Sequence, residues 1–429
     1  MIKKGTALLL AALMLLSAAA LGEEEDGDLE IEEIIEEVVL DDEGGEHPLS
    51  EQNAPAAASG EFIPSYGSAY APRPGERNYW TLPMDITDEQ AVWEMLMQPI
   101  TVVDTGKKSG EKSQTYLYRE PDEESLKIGV VTCESQGVRV LETLDSGWSL
   151  VECYSSSFHD TKVEAWNLLV SGYIRTDYLK QVTPNPEMGI VVDKLSQRLY
   201  VFQDGKLLTT LLCSTGLTQW NGSKYQPYNE TRSGEFLLMN KLGAFQSDRL
   251  ICSYAIRFNN GDAVHEVPHV NNKDGTPNYG TTEHKLGTKC SHGCIRVQRN
   301  RTPEGINMKW IYNQLKSGSK VKFVVWEDWQ GRQLSVPDAD TPLYYNPGKG
   351  SYYHRSSFCY SAKAVTFQPF TYGQLEEEPF SKLEPCEFCV PPLRESAIAS
   401  INETYAPGGD HNELLTSLQQ PYFDYLAAN

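Results

Sequence analysis

The sequence predicts a mainly β protein: a small β-barrel, then a larger β-rich domain with one late helix, then a small His/Cys module. Three observations predict it. From Ile100 onward, short runs of Val, Ile, Leu, Tyr and Phe alternate with Gly, Asn, Asp and Pro, the texture of strands and turns. Within the larger domain one segment, Pro303 to Leu315, instead has a Pro near its start and apolar residues at Ile306, Met308, Ile311 and Leu315, which predicts a helix. The composition, 40% hydrophobic and 10% aromatic over 429 residues, fills several cores and excludes wholesale disorder. A net charge of −22 excludes a general nucleic-acid binder, because phosphate neutralisation needs a basic surface. Nine cysteines are too few for a disulfide scaffold over this length.

The first residues indicate the compartment. Met1-Ile-Lys-Lys precedes an apolar run from Thr6 to Gly22 with small residues at Ala18, Ala19 and Ala20, the pattern of a secretory signal peptide over 1–22. A membrane anchor would want about 20 apolar residues. This run is shorter and meets acid at once, so we expect cleavage and no lasting membrane span. Glu23 to His47 holds fourteen Asp and Glu and no Lys or Arg, and so carries most of the imbalance. Ile31, Ile34, Ile35, Val38 and Val39 allow a short amphipathic helix there, but like charges repel and extend, which favours a tether. With the Pro/Ala/Ser/Gly-rich stretch that follows, 23–97 reads as a disordered tether.

In 98–184 the strand candidates are Tyr116-Leu-Tyr-Arg, Ile128-Gly-Val-Val, Val138-Arg-Val-Leu, Trp148-Ser-Leu-Val and Tyr173-Ile-Arg. Gly147 and Gly172 stand where a small barrel turns tightly. Gly147-Trp-Ser-Leu-Val-Glu and Gly172-Tyr-Ile-Arg-Thr-Asp-Tyr-Leu resemble the paired signatures of bacterial Src-homology-3-like domains. That resemblance implies a module that binds cell-wall peptide or packs on a catalytic domain; a plain spacer is the other reading. Cys133 and Cys153 could pair as a disulfide.

The domain expected over 187–326 opens with Gly189-Ile-Val-Val-Asp and Arg198-Leu-Tyr-Val-Phe, and Asp204-Gly205 is a hairpin turn. Leu207–Leu212, Gly234–Leu238 and a closing Lys320–Val325 are further strand candidates. Its chemistry concentrates in Lys289-Cys-Ser-His-Gly-Cys-Ile-Arg-Val297. A nucleophilic Cys needs a base or positive charge nearby, backbone donors for an oxyanion, and room for an acyl group. On an extended segment His292 and Cys294 would face one side, Gly293 would clear the approach, and Arg296 could hold a carboxylate or carbonyl.

These pieces resemble the L,D-transpeptidase catalytic family. Gly189 to Phe202 looks like its opening hairpin, and Cys213-Ser-Thr-Gly like the following strand end. Thr231-Arg-Ser-Gly-Glu-Phe is similar to its Thr-Pro-x-Gly-x-Phe, with Arg232 for the usual Pro. Val264-His265 resembles its upstream Ile-His, and Ser291-His-Gly-Cys-Ile-Arg its nucleophile motif. The resemblance implies Cys294 as nucleophile and His292 as general base and acid, with Ser291, Gly293, His265 and Arg296 at the oxyanion and substrate positions. The implied substrate is a peptidoglycan stem peptide, cut between a diamino acid and D-Ala and passed to an amine as a 3→3 cross-link, with no cofactor. The implied setting is a secreted, cell-wall-associated protein. Using water as acceptor would make it an L,D-carboxypeptidase; a non-catalytic wall binder is the alternative of another class. Two departures stand out. The 25 residues between His265 and Ser291 exceed the family's interval, and His269 and His284 in that insertion read as surface residues. Cys290 either sits buried, the preferred reading, or pairs with Cys294.

In 341–395, His354, Cys359 and the Pro385-Cys386-Glu-Phe-Cys389 knuckle supply one imidazole and three thiols, a complete tetrahedral set for structural zinc; disulfides are the alternative. The tail, 396–429, offers no chemistry.

Overall fold

The computed structural model describes residues 85–106, 113–159, 161–316, 318–328, 332–348, 350–362 and 364–429. The expected signal peptide and the tether as far as residue 84 lie outside the described residues. The tether does not extend to 97. Glu89–Met97 is a helix, α1, capped by the Asp88 carboxylate, which accepts from Ala91 N–H at 3.0 Å. It buries Val92, Met95 and Leu96.

The central domain is one nine-stranded sheet. Its order is Gly234–Leu237, Lys322–Trp326, Met188–Asp193, Arg198–Gln203, Lys206–Ser214, Ile295–Val297, Asp262–Glu266, Leu250–Asn259 and Lys241–Ser247. Strand alternation divides the apolar residues between two faces. Val191, Phe202, Val324 and Trp326 meet Val92, Met95 and Leu96 of α1. Ile190, Val192, Leu199, Val201, Phe323 and Val325 face the main core, which Met308 and Ile311 of helix α2 (Met308–Gln314) complete. Both faces are covered, which is why these strands read as continuous apolar runs. Helix α2 is shorter than the Pro303–Leu315 expected, because Gly305 takes φ +85° in a turn and Asn307 caps the helix, accepting from Trp310 N–H at 3.0 Å. The Asp204-Gly205 hairpin forms as expected, with φ +50° and +85°.

The N-terminal β-module is a five-stranded sheet ordered Lys127–Thr132, Gln114–Tyr118, Trp166–Arg175, Trp148–Ser156 and Arg139–Thr143. Ile100–Val103 pairs separately with Leu179–Val182. The expected barrel is not closed among the described residues: the two outer strands of the sheet do not pair with each other. Cys133 and Cys153 are buried free thiols rather than a disulfide. Main-chain bonds join this module to the central sheet, Gly137 N–H to Glu235 O and Leu237 N–H to Ser135 O, both at 2.8 Å.

The C-terminal module folds on a four-stranded sheet of Gln368–Thr371, Pro342–Tyr345, Tyr352–His354 and Glu384–Pro385. The tail departs most from expectation. It forms α3, Glu395–Thr404, and α4, Asp410–Ala428. The buried positions of α4, Asn412, Leu415, Gln419, Tyr422 and Leu426, repeat at helical spacing. Leu415, Tyr422 and Leu426 enter the core of the N-terminal module beside Val103, Leu117 and Ile128. Arg119 donates to Leu426 O at 2.6 Å, and Tyr425 to Lys127 O at 3.1 Å. The last helix thus completes the first folded module. Leu415→Ala should lower unfolding stability by about 2–5 kcal/mol, as emptying a core leucine site does. Urea unfolding of the full chain, followed by the near-ultraviolet signal of Trp148 and Trp166, measures it; an unchanged midpoint would show that α4 is not part of that core.

Candidate active site

Cys294 precedes the short strand Ile295–Val297, which runs parallel to Asp262–Glu266 with Val264 opposite Ile295 and His265 opposite Arg296. Ile295, Val297 and Val264 face the main core. Alternation then puts Cys294, Arg296, Ala263 and His265 on the other face. There Cys294 packs with Phe245, Cys252, Ala255 and Ala263. Its thiol lies 3.4 Å from the Ala263 N–H and 3.9 Å from Gly261 O.

The turn before Cys294 is held from several sides. Gly293 adopts φ +123°, and a Cβ there would stand 2.3 Å from Asp262 Oδ1. Thr231 donates its hydroxyl to Gly293 O at 2.7 Å while accepting from Gly216 N–H at 2.8 Å. Ser291 is buried, donates to Cys294 O, and accepts from Gly293 N–H at 3.3 Å. Lys289 anchors the approach in a buried lattice, 2.6 Å from Glu230 and 2.7 Å from Asp328, with Lys194 3.2 Å from Asp328. His411 of α4 completes it, 3.9 Å from Asp328, and burial lowers its pKa to about 4. Glu230, Asp328 and His411 could converge on a cation, but two lysines already neutralise these carboxylates.

The two histidines of the motifs differ. His292 is exposed, with Nε2 3.1 Å from Gln219 Nε2. The alternation that would align it with Cys294 fails, because Gly293 at φ +123° is not extended backbone. His265 is buried on the cysteine's face, its Nδ1 2.7 Å from Glu266 O and its ring edge-on to Phe245. A protonated Nδ1 donating to that carbonyl leaves Nε2 as the basic nitrogen. Burial, aided by the charge of Arg296, lowers the His265 pKa to about 4, so the ring is neutral at working pH.

Arg296 is half-buried and donates to Cys290 Sγ at 3.5 Å. Cys290 is therefore neither buried nor bonded to Cys294, but a partly exposed free thiol. His284 is exposed as expected, whereas His269 is buried, exchanging main-chain bonds with Ile251 and packing on Tyr279. Sequence reasoning missed Asp262 and the Lys194–Lys289 lattice. An acid inside the β-type run Asp262-Ala-Val-His was the one available signal.

A second constellation lies in the C-terminal module. His354, Cys359, Cys386 and Cys389 are all buried, with their ligand atoms within 4.8 Å of one another. Cys359 and Cys386 sulfurs are 3.7 Å apart, and Cys389 Sγ is 3.5 Å from His354 Nδ1. A tetrahedral ion with bonds of about 2.3 Å to sulfur and 2.0 Å to nitrogen sets edges of about 3.8 and 3.5 Å, so the four residues fit a metal. The three cysteines are free thiols, against the disulfide alternative.

Residues 187–323 match the L,D-transpeptidase catalytic domain family, YkuD. This part of the chain is thus an L,D-transpeptidase catalytic domain of the cysteine type. Similar solved structures include an L,D-transpeptidase of Xylanimonas cellulosilytica, 18% identical over 33% of this chain and 60% of that one, TM-score 0.23. A fused Zn-dependent amidase/peptidase/peptidoglycan-binding domain-containing protein of Clostridium acetobutylicum is 24% identical over 34% and 54%, TM-score 0.23. An L,D-transpeptidase of Mycobacterium smegmatis is 16% identical over 54% and 92%, TM-score 0.26. The chain spans a little over half the length of the first two. No curated protein matches it. No helix among the described residues is long and apolar enough to cross a membrane.

Gly293→Ala should cost on the order of 1–3 kcal/mol from the strained φ alone, with the contact to Asp262 in addition. A urea midpoint equal to wild type would show that the turn tolerates a side chain.

Proposed function

We propose that the protein is a secreted peptidoglycan L,D-transpeptidase that forms 3→3 cross-links through a Cys294 thioester. The observation that carries this is the parallel pairing of Asp262–Glu266 with Ile295–Val297, which supports a neutral His265 and Cys294 on one face beside the turn. His265 Nε2 takes the thiol proton as Cys294 attacks the carbonyl of the diamino acid at stem position three. Backbone amides near Gly293 and Cys294 stabilise the oxyanion. The C–N bond to D-Ala breaks and the amine leaves with the proton from His265; an amine of a neighbouring stem then gives a proton to His265 as it displaces the thiolate, which takes that proton back. His265 replaces His292 as the base in this reading. His292, tied to Gln219 at the exposed rim, contacts the stem instead. Arg296, with Cys290 against its guanidinium, orients the substrate carboxylate or carbonyl.

The same chemistry with water gives an L,D-carboxypeptidase. Incubating the protein with tetrapeptide muropeptides separates the readings: D-Ala release with 3→3 dimers is expected, and Cys294→Ala and His265→Ala should each lose at least a hundredfold in rate. Release without dimers assigns hydrolysis. No turnover, with wild type and Cys294→Ala equally retained on sacculi, leaves a wall-binding protein. The kcat/KM profile should bend on its acid limb near pH 4, since His265 must be neutral to act; a bend near 6.5 would remove it from that role.

The surrounding regions complete the proposal: a Src-homology-3-like module over 98–184, the catalytic domain over 187–326, and a structural zinc site of His354, Cys359, Cys386 and Cys389 in 341–395. Zinc there would cross-link the module, as three thiolates and an imidazole do. The purified protein should carry one equivalent of zinc, and Cys389→Ser should lose it and melt at lower temperature. Metal-free wild type with full stability would refute the site.

A further inference from the structure

Arg232 occupies the position where the resemblance leads one to expect proline, and it is buried. An unpartnered guanidinium inside a protein is strongly unfavourable, so its partners matter. Its Nη1 donates to Tyr228 O at 2.6 Å and to Glu230 O at 2.8 Å, and lies 3.8 Å from the Asp262 carboxylate. Two further contacts come from the N-terminal module. Nη2 donates to Ser157 O, and the Phe158 ring lies 3.8 Å from the guanidinium carbon. Phe158 also covers Gly261, where a Cβ would meet the ring at 3.0 Å.

These residues lead directly to Cys294. Gly261 O is the carbonyl 3.9 Å from the thiol, and Asp262 is the side chain against which Gly293 fits. Ala263, next in the chain, points its N–H at the sulfur. Further bonds fasten the same seam: Ser233 N–H to Asn167 at 2.7 Å, and Ser156 to Asn259 at 3.1 Å. The module therefore touches Arg232 and Ser233 in one segment and Asn259 and Gly261 in the other.

We propose that the N-terminal β-module is a working part of the active site, with Ser157 and Phe158 clamping Arg232 on Asp262 and so positioning the Gly261–Ala263 wall and the Gly293–Cys294 turn. Arg232, Asp262 and Phe158 are positioning residues that act through Cys294. The proposal rests on Cys294 being the reactive thiol, but not on the identity of its substrate. Asp262 shows the demand on the clamp. Burial raises its pKa to about 6 even against Arg232 and Arg257, so its charge depends on the cation staying in place.

Alkylation of Cys294 by iodoacetamide tests this without a peptidoglycan substrate. A Cys290→Ser background, with the modified position read by fragment mass spectrometry, isolates the thiol. Phe158→Leu keeps apolar bulk but loses the ring face, and Phe158→Tyr restores it. Arg232→Lys keeps the charge but cannot bond Ser157, Tyr228 and Glu230 together. We expect Phe158→Leu and Arg232→Lys to slow alkylation at neutral pH at least fivefold and to move the midpoint of its pH profile upward. Both substitutions let the cation move away from Asp262 and the thiol, and a more distant positive charge favours the thiolate less. Phe158→Tyr should recover both rate and midpoint. Unchanged rate and midpoint in Phe158→Leu and Arg232→Lys would overturn the proposal, even if both melt lower. So would a slowed rate with an unmoved midpoint that Phe158→Tyr fails to restore. Absence of muropeptide turnover in wild type, with the alkylation pattern as expected, would instead defeat only the transpeptidase reading.

Discussion

The backbone at Gly293 takes φ +123°, and a Cβ there would stand 2.3 Å from Asp262 Oδ1, so the turn favours glycine. That turn lets the chain arrive from the Lys289 anchor, present Cys294, and at once join Ile295–Val297 in parallel beside Asp262–Glu266. Parallel pairing makes Cys294, Arg296, Ala263 and His265 share a face while Ile295 and Val264 fill the core behind. One strand register thus fixes which histidine sits with the thiol. The rest of the site is a set of brackets on the turn: Thr231 on the Gly293 carbonyl, Ser291 across it, and Asp262 beneath it.

Brackets made of charge need their own support. Lys194, Lys289, Glu230 and Asp328 are all buried or nearly so, and each carboxylate there meets two cations. Burying such a lattice adds little net stability, since desolvation offsets most of the attraction. Its value is directional. Breaking any member strands a buried charge, so the Lys289 end of the motif has one low-energy position. His411 reaches this lattice from α4, whose apolar face lies in the N-terminal module's core. The chain's tail is thereby coupled to both folded units around the turn.

Most strands were legible because each half of the pattern is local: apolar runs, turn residues, the Asp204-Gly205 hairpin. The His354, Cys359, Cys386, Cys389 set was legible because its residue types are rare and their chemistry demands them together. What escaped is pairing across long separations. Arg232 reads as a departure in sequence, and only its contact with Ser157, 75 residues earlier, explains it. The i, i+2 argument for His292 assumed extended backbone, and a single positive-φ glycine voided it. Helix α4 carries Pro421 inside it, yet that residue is exposed and the buried stripe runs on through Tyr422 to Leu426.

The C-terminal module bonds near the other end of the strand Ile295–Val297. Arg355, next to His354, donates to Cys389 O and lies 2.8 Å from Glu304 in the turn before α2. Gln298, one residue beyond Val297, accepts from Leu212 N–H at 2.6 Å and donates to Phe388 O at 3.3 Å. The Cys386–Cys389 knuckle therefore holds, by its own carbonyls, the far end of the strand that begins after Cys294. The four ligand atoms of His354, Cys359, Cys386 and Cys389 converge closely enough for a metal to hold this knuckle. A metal bound there would steady the strand from its far end, as the N-terminal module would steady the turn from its near end. A strand of three residues has few ladder bonds of its own, and its position is set by what grips both ends.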